Sequence, residues 1–154
     1  MNVILDDITW QNCVKSTPIA AIDLIIVRDD SQILMGKRKN DPAKDLYFVP
    51  GGRIYKNESI KDAFERIIFE ETKQNYQFSE SKFQGCFEHF YNNSKWSSLD
   101  ISTHYIVLAY RLDVDRSFNF DLTNQHKSLS WIGQDTNNNN LIHKYSRIYI
   151  DKFL

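Results

Sequence analysis

One segment constrains this chain more than any other: a Pro50-Gly51-Gly52 turn that follows a short apolar strand, Tyr47 to Val49, and leads into an amphipathic helix. From Ser59 to about Asn75 the apolar period is helical. On a wheel of about 100° per residue, Ile60, Ala63, Phe64, Ile67 and Ile68 form one stripe. Ser59 is the expected cap, with Asp62 in the first turn. Glu71 falls about 20° from Ile60, inside the stripe, and a carboxylate turned inward is costly unless it is paired or bound to a metal. Arg66 and Glu70 share the flank of the stripe at the i, i+4 spacing of an ion pair. The two glycines let the backbone approach a ligand closely. Taken alone, they serve a plain strand-to-helix turn equally well, and a helix ending near Glu71 would equally let that side chain reach water.

The rest of the chain reads as one domain. Its 154 residues are 42% hydrophobic and 25% charged, with five glycines and three prolines, which excludes disorder and collagen-like repeats. A net charge of -1, from 19 basic and 20 acidic residues, argues against nucleic acid as the chief partner. The most apolar stretch, Ile19 to Val27, is interrupted by Asp23 and is too short to span a membrane. Asp6 and Asp7 stand where a signal peptide needs positive charge, so a cytoplasmic location is expected, and the sequons at Asn57 and Asn92 carry little weight. Cys13 and Cys86 cannot form a disulfide framework and are expected as buried thiols in a reducing compartment.

A short helix is expected over Asp6 to Lys15. Strands are expected over Ile19 to Val27, Ile33 to Arg38, Phe83 to Tyr91, Ile101 to Val114 and Leu129 to Ile132, with a closing helix over Leu141 to Phe153. Strands mixed with two or three helices indicate an α/β or α+β sandwich.

Gly52, Glu58, Arg66 and the Glu70-Glu71 pair, at their spacing, resemble the Nudix box G-x5-E-x7-R-E-U-x-E-E-x-G-U, where U is apolar. The sequence departs from the box at three places: Ile67 replaces the first Glu after Arg, Lys73 the Gly and Gln74 the last apolar residue. The loss at position 67 removes a carboxylate from a cluster that holds several divalent ions in ordinary members, and so lowers the positive charge the site can hold. Further runs, among them Gly36-Lys37-Arg38, Phe48-Val49-Pro50-Gly51-Gly52-Arg53, His89-Phe90-Tyr91, Thr103-His104-Tyr105 and Gln125-His126, resemble the GDP-mannose mannosyl hydrolases, over a match from about Trp10 to Trp131. That branch also lacks the first Glu of the box.

The resemblance implies a single Nudix-type domain over residues 1–154, an α/β/α sandwich on a mixed sheet. Residues 1–16 would be an N-terminal arm exchanged in a homodimer. It implies hydrolysis of GDP-mannose, GDP-glucose or a related GDP-hexose to GDP and free sugar, by water attack at the anomeric carbon with inversion. One Mg²⁺ per subunit, replaceable by Mn²⁺, would be held by the Gly51 carbonyl, Glu71 and Gln125. His126 would be the general base. Arg38, Arg53 and Tyr105 would contact the diphosphate, Asp23 and His89 would lie near the sugar, and Trp10 would stack on guanine, with Ile4 and Leu5 in the same arm. Neither a nucleic acid nor a membrane is an expected partner, and His104 and His143 receive no role. Two other readings stand beside this one: an ordinary pyrophosphatase cleaving between phosphorus atoms, for which Glu70 supplies a second carboxylate, and a nucleotide-sensing module without turnover.

Overall fold

The computed structural model describes residues 5–39, 43–121, 126–134 and 139–154. Seven strands and three α-helices are formed among these: α1 (Asp7–Ser16), β1 (Ile19–Arg28), β2 (Gln32–Arg38), β3 (Tyr47–Phe48), β4 (Gly51–Arg53), α2 (Ile60–Thr72), β5 (Lys82–Tyr91), β6 (Thr103–Val114), β7 (His126–Ile132) and α3 (Lys144–Phe153). Each helix starts where its cap chemistry sets it. Asp6 accepts a hydrogen bond from the Thr9 amide, and Ser59 accepts one from the Asp62 amide. His143 accepts one from the Tyr145 amide through Nδ1.

The strands form one mixed sheet with β1 at its centre. Over its whole length β1 pairs in parallel with β6, from Ile19 opposite Tyr105 to Arg28 opposite Val114. Its other edge is shared. The hairpin partner β2 takes the C-terminal end, and β4 takes the N-terminal end, with Asp23 opposite Gly51 and Ile22 opposite Gly52. Strand β7 pairs with β2 and β5 closes the far side of β6.

Because side chains alternate across a strand, β1 feeds two cores. Ile22, Leu24 and Ile26 pack with Ala63, Phe64, Ile67 and Ile68 of α2. Ile25 and Val27 pack on the opposite face with Tyr149 and Ile150 of α3. Thus α2 and α3 sandwich the sheet, as the α/β (α+β) expectation has it. Helix α1 lies against β6, where Val14 and Ile19 meet Ile101, Trp10 and Trp96.

Three expectations are corrected. Helix α2 ends at Thr72 rather than near Asn75, because Lys73 takes the left-handed conformation at φ 63° and caps it. Ile60, at the first position of α2, is exposed, since the core does not reach the helix start. Cys13 is half-buried and Cys86 is exposed on β5, an edge strand of the sheet. No helix among the described residues is long and apolar enough to cross a membrane.

Candidate active site

A cavity of about 430 Å³ opens where β1, β4, β5 and β6 meet on the α3 face of the sheet, and Trp10, Asp23, Arg38, Gly51, Arg53, His89 and Tyr105 all line it. It thus gathers seven of the residues expected from the sequence, carried by α1 and five different strands. A neighbouring cavity of about 560 Å³ shares Trp10, Arg38 and Tyr105 and is walled further by Lys39, Lys44, Lys95 and Trp96. Among the described residues, no acidic side chain lines this outer compartment.

The cationic wall is built from stacked side chains. The Arg53 guanidinium lies 4.2 Å from the Trp10 ring centre and 4.9 Å from that of Tyr55, and Arg66 lies 4.0 Å from Tyr55 on its own account. Stacking suits the planar guanidinium and leaves its edge free to fork onto an anion. Arg38 sits 5.4 Å from the Phe48 ring centre.

At the inner end, Asp23 accepts a hydrogen bond from the Tyr149 hydroxyl at 2.8 Å. Burial pushes the Asp23 carboxyl up to about 7, against the pull of Tyr149 and of Arg38. His89 is buried and its ring is stacked on Tyr145 at 4.0 Å. Burial holds its imidazole down at about 4, with the charges of His143 and Lys144 acting in the same direction. His89 is therefore neutral at physiological pH. Burial also raises the Tyr105 phenol, which stays protonated as a donor.

The glycine turn is tight on both sides. A Cβ on Gly51 would stand 2.5 Å from the Ile22 carbonyl oxygen and 3.0 Å from Asp23 Oδ1. A Cβ on Gly52 would stand 3.2 Å from Ile67 Cγ1 of α2. An aliphatic side chain thus fills the place beneath the turn where the box has a carboxylate. Of the other acids near α2, Glu58 and Glu70 both accept hydrogen bonds from Arg66, which also donates to the Arg53 carbonyl. Glu71 is 1% exposed on the inward stripe of α2, as the wheel placed it, and does not line the cavity.

These donors can be tested against a divalent ion. Among the described residues no three His, Cys, Asp or Glu side chains come together as a metal cage. The Gly51 carbonyl and the buried Glu71 carboxylate are hard-oxygen donors. Donors of this kind suit a hard divalent ion such as Mg²⁺ or Mn²⁺, completed by substrate phosphate and water.

Ile4 and Gln125 fall outside the described residues. Leu5 is half-buried just before α1 and does not line the cavity. His126 opens β7, and its backbone pairs with Arg38 beside an irregular step in the ladder. Sequence reasoning passed over Tyr145 and Tyr149, which touch His89 and Asp23 from α3. Their only sequence signal is the i, i+4 spacing of two tyrosines on one helix.

Residues 17–152 match the NUDIX domain family, and the chain belongs to that family of hydrolases. Nudix hydrolases generally use divalent metals. Among its relatives, this chain is 37% identical over 125 residues to the low-salt glycan biosynthesis protein Agl8 of Haloferax volcanii, covering 81% of this chain and 77% of that protein. It is 44% identical over 55 residues to the ADP-ribose pyrophosphatase of Methanocaldococcus jannaschii, covering 36% of this chain and 32% of that one. The fold is similar to a MutT NUDIX hydrolase from Burkholderia pseudomallei, with a TM-score of 0.68 at 20% identity over 90% of this chain and 100% of that chain. It is equally similar to a bifunctional NMN adenylyltransferase/ADP ribose pyrophosphatase from Francisella tularensis complexed with AMP and Mn ion, with a TM-score of 0.68 at 22% identity. The match covers 93% of this chain and 43% of that one, so this chain spans less than half of the Francisella protein.

Proposed function

We propose that this Nudix hydrolase splits GDP-mannose, or a closely related GDP-hexose, at the anomeric carbon with inversion, releasing GDP and the free sugar. The observation that carries this reading is Ile67. It is 1% exposed and packed under Gly52, in the place of the first carboxylate of the box. Glu58 and Glu70 pair with Arg66, and Glu71 is the acid on the buried face of α2. One ion can help a diphosphate leave, whereas attack at phosphorus in ordinary members draws on several.

Glu71 and the Gly51 carbonyl, with Gln125, would hold one Mg²⁺, which when bound neutralises charge on the departing diphosphate. Arg38 and Arg53 fork onto the same oxygens, and Tyr105 donates to them. The base stacks on Trp10 and the nucleotide extends into the outer cationic compartment. Asp23 and His89 face the hexose. Water attacks the anomeric carbon, its proton passes to His126, and the bond from that carbon to the β-phosphate oxygen breaks with its electrons going to GDP. A homodimer that exchanges residues 1–16 would bring Trp10 to the site from the partner. In the single chain, α1 packs on its own β6 and Asp7 pairs with Lys95 at 2.5 Å. The Haloferax relative, named for glycan biosynthesis, is consistent with a nucleotide-sugar substrate.

A second reading, pyrophosphatase action on a nucleotide derivative, is favoured by Glu70, which is less enclosed than Glu58 and could turn to a metal, and by the ADP-ribose pyrophosphatase relative. Hydrolysis in ¹⁸O-water decides between the two. Label in the free sugar supports attack at carbon, and label in GMP or sugar 1-phosphate overturns it. Saturable GDP-sugar binding without any product would point to a sensing module instead.

A further inference from the structure

We propose that Tyr145 and Tyr149, one turn apart on α3, are positioning residues that set the hexose selectivity of the site: Tyr149 fixes the carboxylate of Asp23, and Tyr145 fixes the ring of His89. The inference rests on the reading that Asp23 and His89 meet the sugar.

Tyr149 is fully buried, and its ring packs edge-on against Phe87 in the core beneath the sheet. Ring packing alone would be served by phenylalanine. The hydroxyl instead donates to Asp23 Oδ2 at 2.8 Å, and a hydroxyl buried without an acceptor is costly. Oδ1 lies close to Gly51, where a Cβ would stand 3.0 Å from it. One oxygen is thus committed to the scaffold, while the other lies over the glycine turn that lines the cavity. An acceptor presented in this way reads the position of one hydroxyl, and hexose epimers differ by the position of one hydroxyl.

Tyr145 does the corresponding work for His89. The two rings lie parallel within 9° at 4.0 Å. The Tyr145 hydroxyl accepts from the Phe90 amide at 2.7 Å and donates to the Phe90 carbonyl at 3.1 Å, so the ring is pinned to the strand that carries His89. Between them, Ser146 accepts from the Val49 amide at 3.1 Å, two residues ahead of Gly51. Helix α3 therefore bonds to β1 at Asp23, to β5 at Phe90 and to Val49 just ahead of β4. Side chains held from behind in this way keep the sub-ångström placement that turnover needs.

The test uses Tyr149→Phe and Tyr145→Phe in the full chain, with Ile148→Ser on the exposed side of α3 as control. Turnover is followed on GDP-mannose and GDP-glucose, and GDP is titrated as an inhibitor. Each tyrosine variant is expected to lower kcat on the better sugar roughly tenfold or more and to narrow the ratio between the two sugars. GDP inhibition should stay within about twofold and the control should match the parent. Asp23→Asn with Tyr149→Phe should be no slower than Asp23→Asn alone, because both remove one unit. Unchanged kcat and sugar ratio in both tyrosine variants, fully additive losses in the double variant, or a matching loss of GDP binding would each overturn the proposal. If the parent enzyme releases GMP rather than GDP, the proposed reaction fails. The kcat and inhibition comparison, read on that product, still reports separately on α3.

Discussion

Arg66 grips Glu58 with one edge of its guanidinium: Nε donates to Oε1 at 2.7 Å and Nη2 to Oε2 at 2.8 Å. The Glu58 side chain is 3% exposed and that of Arg66 18%, and Glu58 also accepts from the Tyr55 amide. This pair ties the loop after the glycine turn to the middle of α2.

Removing the arginine should therefore unfasten the turn. Arg66→Ala leaves a buried carboxylate without its cation, a change that costs about 3–5 kcal/mol. Urea unfolding should show a loss of that size in the free energy of unfolding, and a loss below ~1 kcal/mol would mean that solvent reaches Glu58 freely.

The two glycines should differ sharply. Gly51→Ala drives a methyl to 2.5 Å from a backbone oxygen of the central strand, which cannot give way, whereas at Gly52 the obstacle at 3.2 Å is the Ile67 side chain. Overpacking of the first kind costs about 1–3 kcal/mol. Gly51→Ala is expected to lose both stability and turnover, and Gly52→Ala markedly less stability, in paired melting and rate measurements.

Lys73 should be improvable. It holds φ 63° at the C-cap of α2, a conformation that favours glycine. Lys73→Gly is expected to stabilise the fold by about 1 kcal/mol, read as a rise in Tm of about 2–4 °C. A lower Tm would mean that the lysine charge at the helix end outweighs the backbone strain.

His143 should give the fold a pH dependence. Burial holds its imidazole down at about 4, with Lys144 and Arg38 adding to the effect, and its Nδ1 caps α3 only while it accepts the Tyr145 amide. A base with a lowered folded pKa contributes stability above its ordinary value near 6.5, and that contribution drains away as the pH falls towards 4. His89 adds to the trend in the same sense. His143→Asn keeps a capping acceptor without a proton to gain, so its stability should fall less than that of the parent between pH 6.5 and 4. Parallel curves would exclude His143 as a source.

Under the proposed mechanism, Glu71→Gln should raise the Mg²⁺ needed for half-maximal rate sharply, and His126→Gln should cut kcat about 10²–10⁴-fold with little change in GDP-sugar binding. An unchanged Mg²⁺ titration would remove Glu71 from the metal site, and a near-normal rate would remove His126 from the role of base.

Local signals were legible in the sequence. Ser59 caps α2 where its chemistry predicts, Asp6 rather than Asp7 caps α1, and the apolar stripe of α2 is buried from Ala63 to Ile68 with Glu71 among it. Asp23, breaking an apolar strand, does mark the cavity. Periodicity says that a face is covered without saying by what. So the parallel contact of β1 with β6, the return of β7 to β2 and the reach of Tyr149 to Asp23 lay beyond it. Strand β7 starts at His126 rather than Leu129, because the β2 backbone recruits polar residues that carry no strand signal.

The parallel pairing of β1 with β6 also has a kinetic side. It joins segments separated by more than half of the chain, and its ten paired positions bring Asp23 and Tyr105 into one frame. Closing so long a loop is entropically expensive and rewards the chain only once many partners lock together. Assembly of this pocket should therefore be a late and cooperative event, with no partly folded species that binds nucleotide.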